Sequence, residues 1–196
     1  SSAHRGGNGD AMGDTLPTVD LGTGRTAVAL AVGGEHNCAI LDDGSVKCWG
    51  FNDQGQVGFG GGHALGDEPG EMGDALPRVA LGTGRTAVAV TAGDRHSCAL
   101  LDDGTVKCWG DNAHGELGQG DTADRGPVAP TQMGDLLPPI DLGVGRTATA
   151  ISAGYRSTCA LLDNATVKCW GEGASGQLGA GDVVNRGDGP GEMGDA

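Results

Sequence analysis

The residues best equipped for chemistry are six cysteines, and they fall in three pairs: Cys38 and Cys48, Cys98 and Cys108, Cys159 and Cys169. Paired thiols can hold a metal, cycle as a redox couple or form a crosslink. A zinc knuckle or a redox pair normally uses C-x-x-C, which is absent here. Free buried thiols are the plain alternative. Against them stands one pairing written three times at one spacing.

The residues between the cysteines give the spacing a physical meaning. From Cys38 the chain reads Ala39-Ile40-Leu41, then Asp42-Asp43-Gly44, then Ser45-Val46-Lys47 before Cys48. Asp-Asp-Gly suits a three-residue hairpin loop, a type I turn closed by a left-handed glycine. Gly44 and Gly104 take that last position. The register then sets Leu41 opposite Ser45, Ile40 opposite Val46, Ala39 opposite Lys47 and Cys38 opposite Cys48. The cysteines fall on a non-hydrogen-bonded site, where Cα atoms approach to about 4.5 Å, inside the range a disulfide spans. Cross-strand disulfides are expected at Cys38–Cys48, Cys98–Cys108 and Cys159–Cys169. Lasting disulfides imply an oxidising compartment, the periplasm, the cell surface or the outside, and an extracellular or cell-surface location is expected.

The third loop departs, because Asp163-Asn164-Ala165 puts alanine at the glycine position. Left-handed alanine costs about 1 kcal/mol, so Asn164 is expected to take that conformation in a shifted turn. Asn164-Ala165-Thr166 is also a glycosylation sequon at an exposed tip.

Other candidate groups point away from catalysis. His36 and His96 each stand two residues before the first cysteine of a pair, and this duplication reads as packing or hydrogen bonding. His63 and His114 lie in variable loops and read as solvated. No G-x-S-x-G, H-E-x-x-H or P-loop occurs, so the chain reads as non-enzymatic. "GQGDTADRG" and "GAGDVVNRGDG" offer oxygens that could hold calcium. They lack the terminal glutamate of a calcium loop, and turn chemistry accounts for them equally well. No cofactor is expected, with calcium the one candidate. The tripeptide Arg186-Gly187-Asp188 matches an adhesion motif at the level chance supplies.

These residues are positioned by a repeat. "MGD" begins at Met12, Met72, Met133 and Met193, and Trp49, Trp109 and Trp170 keep the same steps. The units are a lead-in at 1–11, repeats at 12–71, 72–132 and 133–192, and the start of a fourth at 193–196. The second carries one extra residue between Trp109 and Met133, in a Gly-, Asp- and Pro-rich stretch where insertions are tolerated. Each unit holds short β-type runs such as "TAVAV", "SCALL" and "TVKCW" between turn signals, and none holds a helical apolar period. The fold class is therefore all-β, one small antiparallel sheet per repeat of about 60 residues. Forty glycines and 3% aromatics leave material for thin layers only. A net charge of −14 argues against nucleic acid and anionic lipid surfaces. No apolar run reaches the length of a bilayer span.

The unit "AGDRHSCALLDDGTVKCWGDNAHGELGQGD" resembles the repeat of the regulator of chromosome condensation, through Gly93, His96, Ala99, Asp103, Gly104, Val106, Trp109, Gly110, Asn112 and Gly118. The first unit matches through Gly33, His36, Gly44 and Trp49, while the third has Ser157 at the histidine position. The resemblance implies a β-propeller with four-stranded blades, with the tryptophans as blade packing. The cysteine pairs and the "MGDALP"-type linker are additions to the pattern and look like a secreted bacterial variant. Family members exchange nucleotide on a small GTPase, bind chromatin, inhibit β-lactamases or sense ultraviolet light, so the fold leaves function open. The photoreceptor motif places a tryptophan where this chain has Gly34, Asp94 and Tyr155.

Propellers close with roughly four to eight blades, so three repeats make a partial propeller or open array. "HRGGNGDAMGD" from His4 resembles "NRGDGPGEMGD" from Asn185, so the two ends share a phase. The expected role is an extracellular scaffold that self-associates as a ring or filament, or that joins neighbouring repeats of a longer chain. The other reading is a secreted binder or inhibitor acting through blade loops.

Peptide mapping without reductant is expected to recover three linked pairs, each within one repeat. Alkylation of all six cysteines before reduction, or links between repeats, would contradict the hairpin register.

Overall fold

Small and β-branched residues alternating between glycine turns leave each repeat one economical fold, a three-stranded antiparallel meander. The structure, a computed structural model, describes residues 13–60, 62–126 and 132–195. The first sheet comprises β1 (Ala27–Val32), β2 (His36–Leu41) and β3 (Val46–Gly50). The second comprises β4 (Ala87–Ala92), β5 (His96–Leu101) and β6 (Val106–Gly110), and the third β7 (Ala148–Ala153), β8 (Ser157–Leu162) and β9 (Val167–Gly171). Each sheet runs in sequence order with its middle strand paired on both sides. The described residues contain no α-helix, only 3-10 turns such as Gly73–Ala75 and Gly134–Leu136 in the "MGD" linkers. Among them no helix is long and apolar enough to cross a membrane.

The hairpin between the second and third strands has the expected register, with Ile40 opposite Val46, Ala39 opposite Lys47 and Cys38 opposite Cys48. Gly44 closes the loop at φ 75° and Gly104 at φ 79°. Asp43 Oδ1 accepts from the Ser45 amide and hydroxyl, and Asp103 does the same for Thr105. Disulfides join Cys38–Cys48, Cys98–Cys108 and Cys159–Cys169, each with Cα atoms 4.1 Å apart.

Two expectations need correction. The third loop does not shift: Ala165 itself is left-handed at φ 63°. Asn164 instead copies the aspartates, accepting from the Thr166 amide and hydroxyl. The hydrogen bonds on both sides of the loop hold the turn and impose its strain on the alanine. The expected fourth strand is reduced to single bridges, Gly50 to Leu65, Gly110 to Arg125 and Gly171 to Arg186. The next residue in each case is a glycine at positive φ (Gly66, Gly126 and Gly187), which turns the chain off the sheet edge after one pair.

One sheet falls in each repeat. The lead-in 1–11, Met12 and Ala196 lie outside the described residues, as does part of the stretch with the extra residue, 127–131. The linkers act as clasps. Thr23 donates from its amide and hydroxyl to Asp74, and Thr83 does likewise to Asp135. Lys47 and Lys107 donate to the carbonyls of Gly73 and Gly134.

The core lies between sheets. One apolar cluster joins Cys38, Ile40, Val46 and Cys48 of the first sheet to Ala99, Leu101 and Trp109 of the second. A second cluster joins Cys98, Leu100, Val106 and Cys108 to Ala160, Leu162 and Trp170 of the third. Each sheet thus has a forward face, carrying its disulfide, and a rear face, carrying its tryptophan.

Replacing Ala165 with glycine removes left-handed strain of about 1–2 kcal/mol, partly offset by the greater freedom of glycine in the unfolded chain. Ala165→Gly is expected to raise stability by up to about 1 kcal/mol in urea unfolding, whereas Gly104→Ala should lower it.

Candidate functional site: blade joints and open faces

The conspicuous polar chemistry is buried between sheets. The Trp109 indole N–H donates to the Gln56 carbonyl at 3.0 Å, and the Ser97 hydroxyl donates to the same oxygen at 2.9 Å. At the next joint Trp170 and Thr158 converge on the Glu116 carbonyl at 2.9 and 3.0 Å. Each hydroxyl also meets an imidazole from the preceding sheet. His36 Nε2 lies 2.8 Å from Ser97 Oγ, and His96 Nε2 lies 2.9 Å from Thr158 Oγ1. The hydroxyl proton is committed to the carbonyl, so the imidazole must donate, and Nε2 carries its proton. His36 Nδ1 is left buried without a partner.

That arrangement suits a neutral ring. Burial holds the pKa of both His36 and His96 down to about 4. The nearby Asp94 carboxylate works the other way on His36, and His36 adds to the lowering of His96. Gly33 and Gly93 are required because the imidazole lies over the backbone, and a Cβ at Gly33 would stand 2.5 Å from the His36 ring. Gly154 faces only the smaller Ser157. His36 and His96 are thus parts of the joint, almost completely shielded from solvent.

The outer sheets leave one face each without this covering. On the first sheet Leu30 and Val32 share the rear face with Asn37 and Trp49. Leu30 is 62% exposed and Val32 68%, while Val90, at the Leu30 position of the second sheet, is half-buried. Trp109 and Trp170 are fully buried, but Trp49 is half-buried, and among the described residues its indole N–H has no partner. On the third sheet the forward face shows Val167 at 62% exposure, where Val106 is fully buried. Beside it an open cleft of about 480 Å³ is lined by Val167, Cys169, Leu178 and Met193. Gln177, at the position of buried Gln56 and Glu116, is exposed.

The remaining candidates are occupied by structure. His114 is half-buried, not solvated as its loop suggested, because its ring and amide bond the buried Glu116 carboxylate at 3.0 and 2.7 Å. Burial raises the Glu116 pKa. In the candidate calcium loops, Arg125 grips Asp121 and Arg186 grips Asp182, each at 2.7 Å. Arg186 of the Arg-Gly-Asp tripeptide is therefore engaged inside its own loop. No group of three or more His, Cys, Asp or Glu able to hold a metal occurs among the described residues. Asn164 is exposed at its hairpin tip. The joint's acceptors, the main-chain carbonyls of Gln56 and Glu116, had no signal in residue type, whereas the Ser157 substitution was visible in the repeat alignment.

Comparison with known proteins agrees with this geometry. The family description "Regulator of chromosome condensation (RCC1) repeat" matches residues 27–56, 87–116 and 148–177, and a second model of that description matches 43–100 and 103–161. The chain is 31% identical to the ultraviolet-B receptor UVR8 of Arabidopsis thaliana over 92% of its length and 38% of that protein. It is 32% identical to the regulator of chromosome condensation of Drosophila melanogaster over 78% of its length and 25% of that protein. It therefore spans well under half of these relatives. Prp20p of Saccharomyces cerevisiae superimposes with a TM-score of 0.63 at 22% identity, over 81% of this chain and 36% of that one. Human WBSCR16 gives 0.61 at 21% identity, over 84% and 40%.

The joint gives a signed pH dependence. His96 titrates near 6.5 unfolded and near 4 folded, so between those values the unfolded chain binds more protons and stability falls as pH falls. Full passage through the window removes roughly 3 kcal/mol for this group. In urea unfolding from pH 7 to pH 4, His96→Asn is expected to be less stable at neutral pH and to lose less on acidification. Parallel losses would contradict a neutral, buried imidazole.

Proposed function

The chain belongs to the regulator of chromosome condensation repeat family, and from that premise we propose that it is an extracellular, non-catalytic scaffold that works through its blade faces. The carrying observation is that the outer sheets present half-built copies of the joint that is complete between neighbouring sheets. His36, His96, His114 and many of the carboxylates are engaged in turns, clasps and joints, and no nucleophile and base converge among the described residues. The reading needs no cofactor. Three disulfides support an oxidising compartment. Prp20p is described with binding properties to Gsp1p and histones, which supports a protein partner here. Light sensing is not carried over from UVR8, because Gly34, Asp94 and Tyr155 stand where the photoreceptor motif has tryptophan.

A second reading is a secreted binder or inhibitor acting through blade loops. It draws on the second repeat, where His114 and Glu116 replace Gln54 and Gln56.

The compartment can be tested on producing cells. A membrane-impermeant amine reagent is expected to label the protein without lysis, and acid-trapped samples should show no thiol alkylation before reduction. Labelling only after lysis, with free thiols, would remove the extracellular reading.

A further inference from the structure

We propose that the second repeat carries a binding site for a small organic acid, whose carboxylate takes the place that an aspartate side chain fills in the first and third repeats. Such a site is independent of the scaffold role and of whatever covers the outer faces. It is bounded by chain on both sides, with Ser45 from the first repeat and Gly134 and Asp135 from the third.

One linker turn occurs three times. In the first copy Asp20 Oδ1 accepts from the Gly22 amide at 2.9 Å. In the third, Asp141 Oδ1 accepts from the Gly143 amide at 3.0 Å. The backbone of the second copy is the same. Gly82 has φ 117°, beside 112° at Gly22 and 110° at Gly143. The Gly134 amide donates to the Ala80 carbonyl at 3.0 Å, as Gly73 does to Asp20 and Gly194 to Asp141. Residue 80, however, is alanine, and the Gly82 amide has no acceptor among the described residues. The space that the carboxylate fills in the other copies stays open. A Cβ on Gly73 would lie 2.6 Å from the Asp20 carboxylate and one on Gly194 2.7 Å from that of Asp141, whereas one on Gly134 would meet only the Ala80 methyl, at 3.6 Å.

A second change in the same repeat draws an anion to this opening. Residue 78 is arginine, where the other copies have Thr18 and Pro139. Arg78 and Arg85 both line the open cleft of about 400 Å³ that holds Ala80 and Gly82. Arg78 engages Asp43 through Nη2 at 3.0 Å, and its fork keeps further donors for a ligand. Relative to the other two copies, this one has lost a negative charge and gained a positive one. Beneath it Lys107 is buried and donates to the Gly134 carbonyl, while Lys47 donates to two carbonyls, those of Leu21 and Gly73. Burial lowers the Lys107 pKa against the pull of Asp135 and Asp103, so the acids already present do not offset its desolvation. Asp135 does not bar a second carboxylate. Its counterparts Asp74 and Asp195 share their turns with Asp20 and Asp141. An aspartate side chain has the outline of acetate, which makes acetate the minimal ligand. Arg78 favours a dicarboxylate such as succinate, whose second group meets the guanidinium.

Titration of the oxidised full chain at constant ionic strength, followed by heteronuclear NMR, tests this. Succinate is expected to shift the Gly82 amide with a dissociation constant of about a millimolar, and acetate to do so more weakly. Ala80→Asp restores the side chain of the other copies. It should move the Gly82 signal toward those of Gly22 and Gly143 and abolish the response to either acid. Arg78→Ala should weaken succinate about threefold, bringing it close to acetate. A Gly82 amide unmoved by about 50 mM succinate, well above the expected millimolar range, overturns the proposal. So does an undiminished response in Ala80→Asp. Inorganic phosphate binding as tightly as succinate would overturn the assignment to an organic acid. None of these results touches the compartment, which the cell-labelling experiment decides separately.

Discussion

Two backbone carbonyls, those of Gln56 and Glu116, hold the three sheets in their relation to one another. Each sits in a glycine loop and is buried by the sheet that follows it, whereas Gln177, with no sheet over it among the described residues, is exposed. An unsatisfied buried acceptor costs about 1–3 kcal/mol, so the following sheet must deliver donors to it. The indole and hydroxyl that arrive there also close the apolar cluster around the tryptophan. Glycine makes the approach feasible, since a Cβ at Gly58 would stand 3.0 Å from Trp109 Nε1. One oxygen therefore links loop conformation, sheet packing and the depth of the core.

Because the core lies between sheets, no sheet is complete alone. This is the nearest-neighbour logic of repeat proteins, in which stability accumulates with each interface. The middle sheet shows the result, with every residue of β5 and β6 buried. The disulfides serve the complementary need. A meander of 17 strand residues gains little from its own packing, and a covalent link across its hairpin limits the freedom of the unfolded chain.

The acidic composition is absorbed in the same way. Asp74 and Asp135 are held below the usual carboxylate range by hydrogen bonds from Thr23 and Thr83. Asp43 is lowered to about 2, chiefly by the Ser45 hydroxyl and amide. Such carboxylates favour the folded state above their ordinary pKa and give up that contribution as pH falls toward the lowered one. Together with the neutral histidines they make acid the common threat to clasps, hairpins and joints.

The sequence by itself determined what is local. The three-fold repeat, the hairpin loops and the pairing of cysteines ten residues apart follow from turn chemistry and strand alternation over a few residues. Where local rules competed with neighbouring constraints, they misled. Alanine's preference was overridden at Ala165 by the hydrogen bonds flanking its loop, and the fourth strand of each blade shrank to one bridge beside a positive-φ glycine. Only the tertiary structure decided which groups meet between sheets. Trp109 reaches a carbonyl 53 residues away, and a main-chain carbonyl has no residue type by which a reader could find it. The changes at Asn37 and Ser157 were present in the letters throughout, but only the folded joints, where His36 meets Ser97 and His96 meets Thr158, showed that these positions of a blade bear on its neighbours.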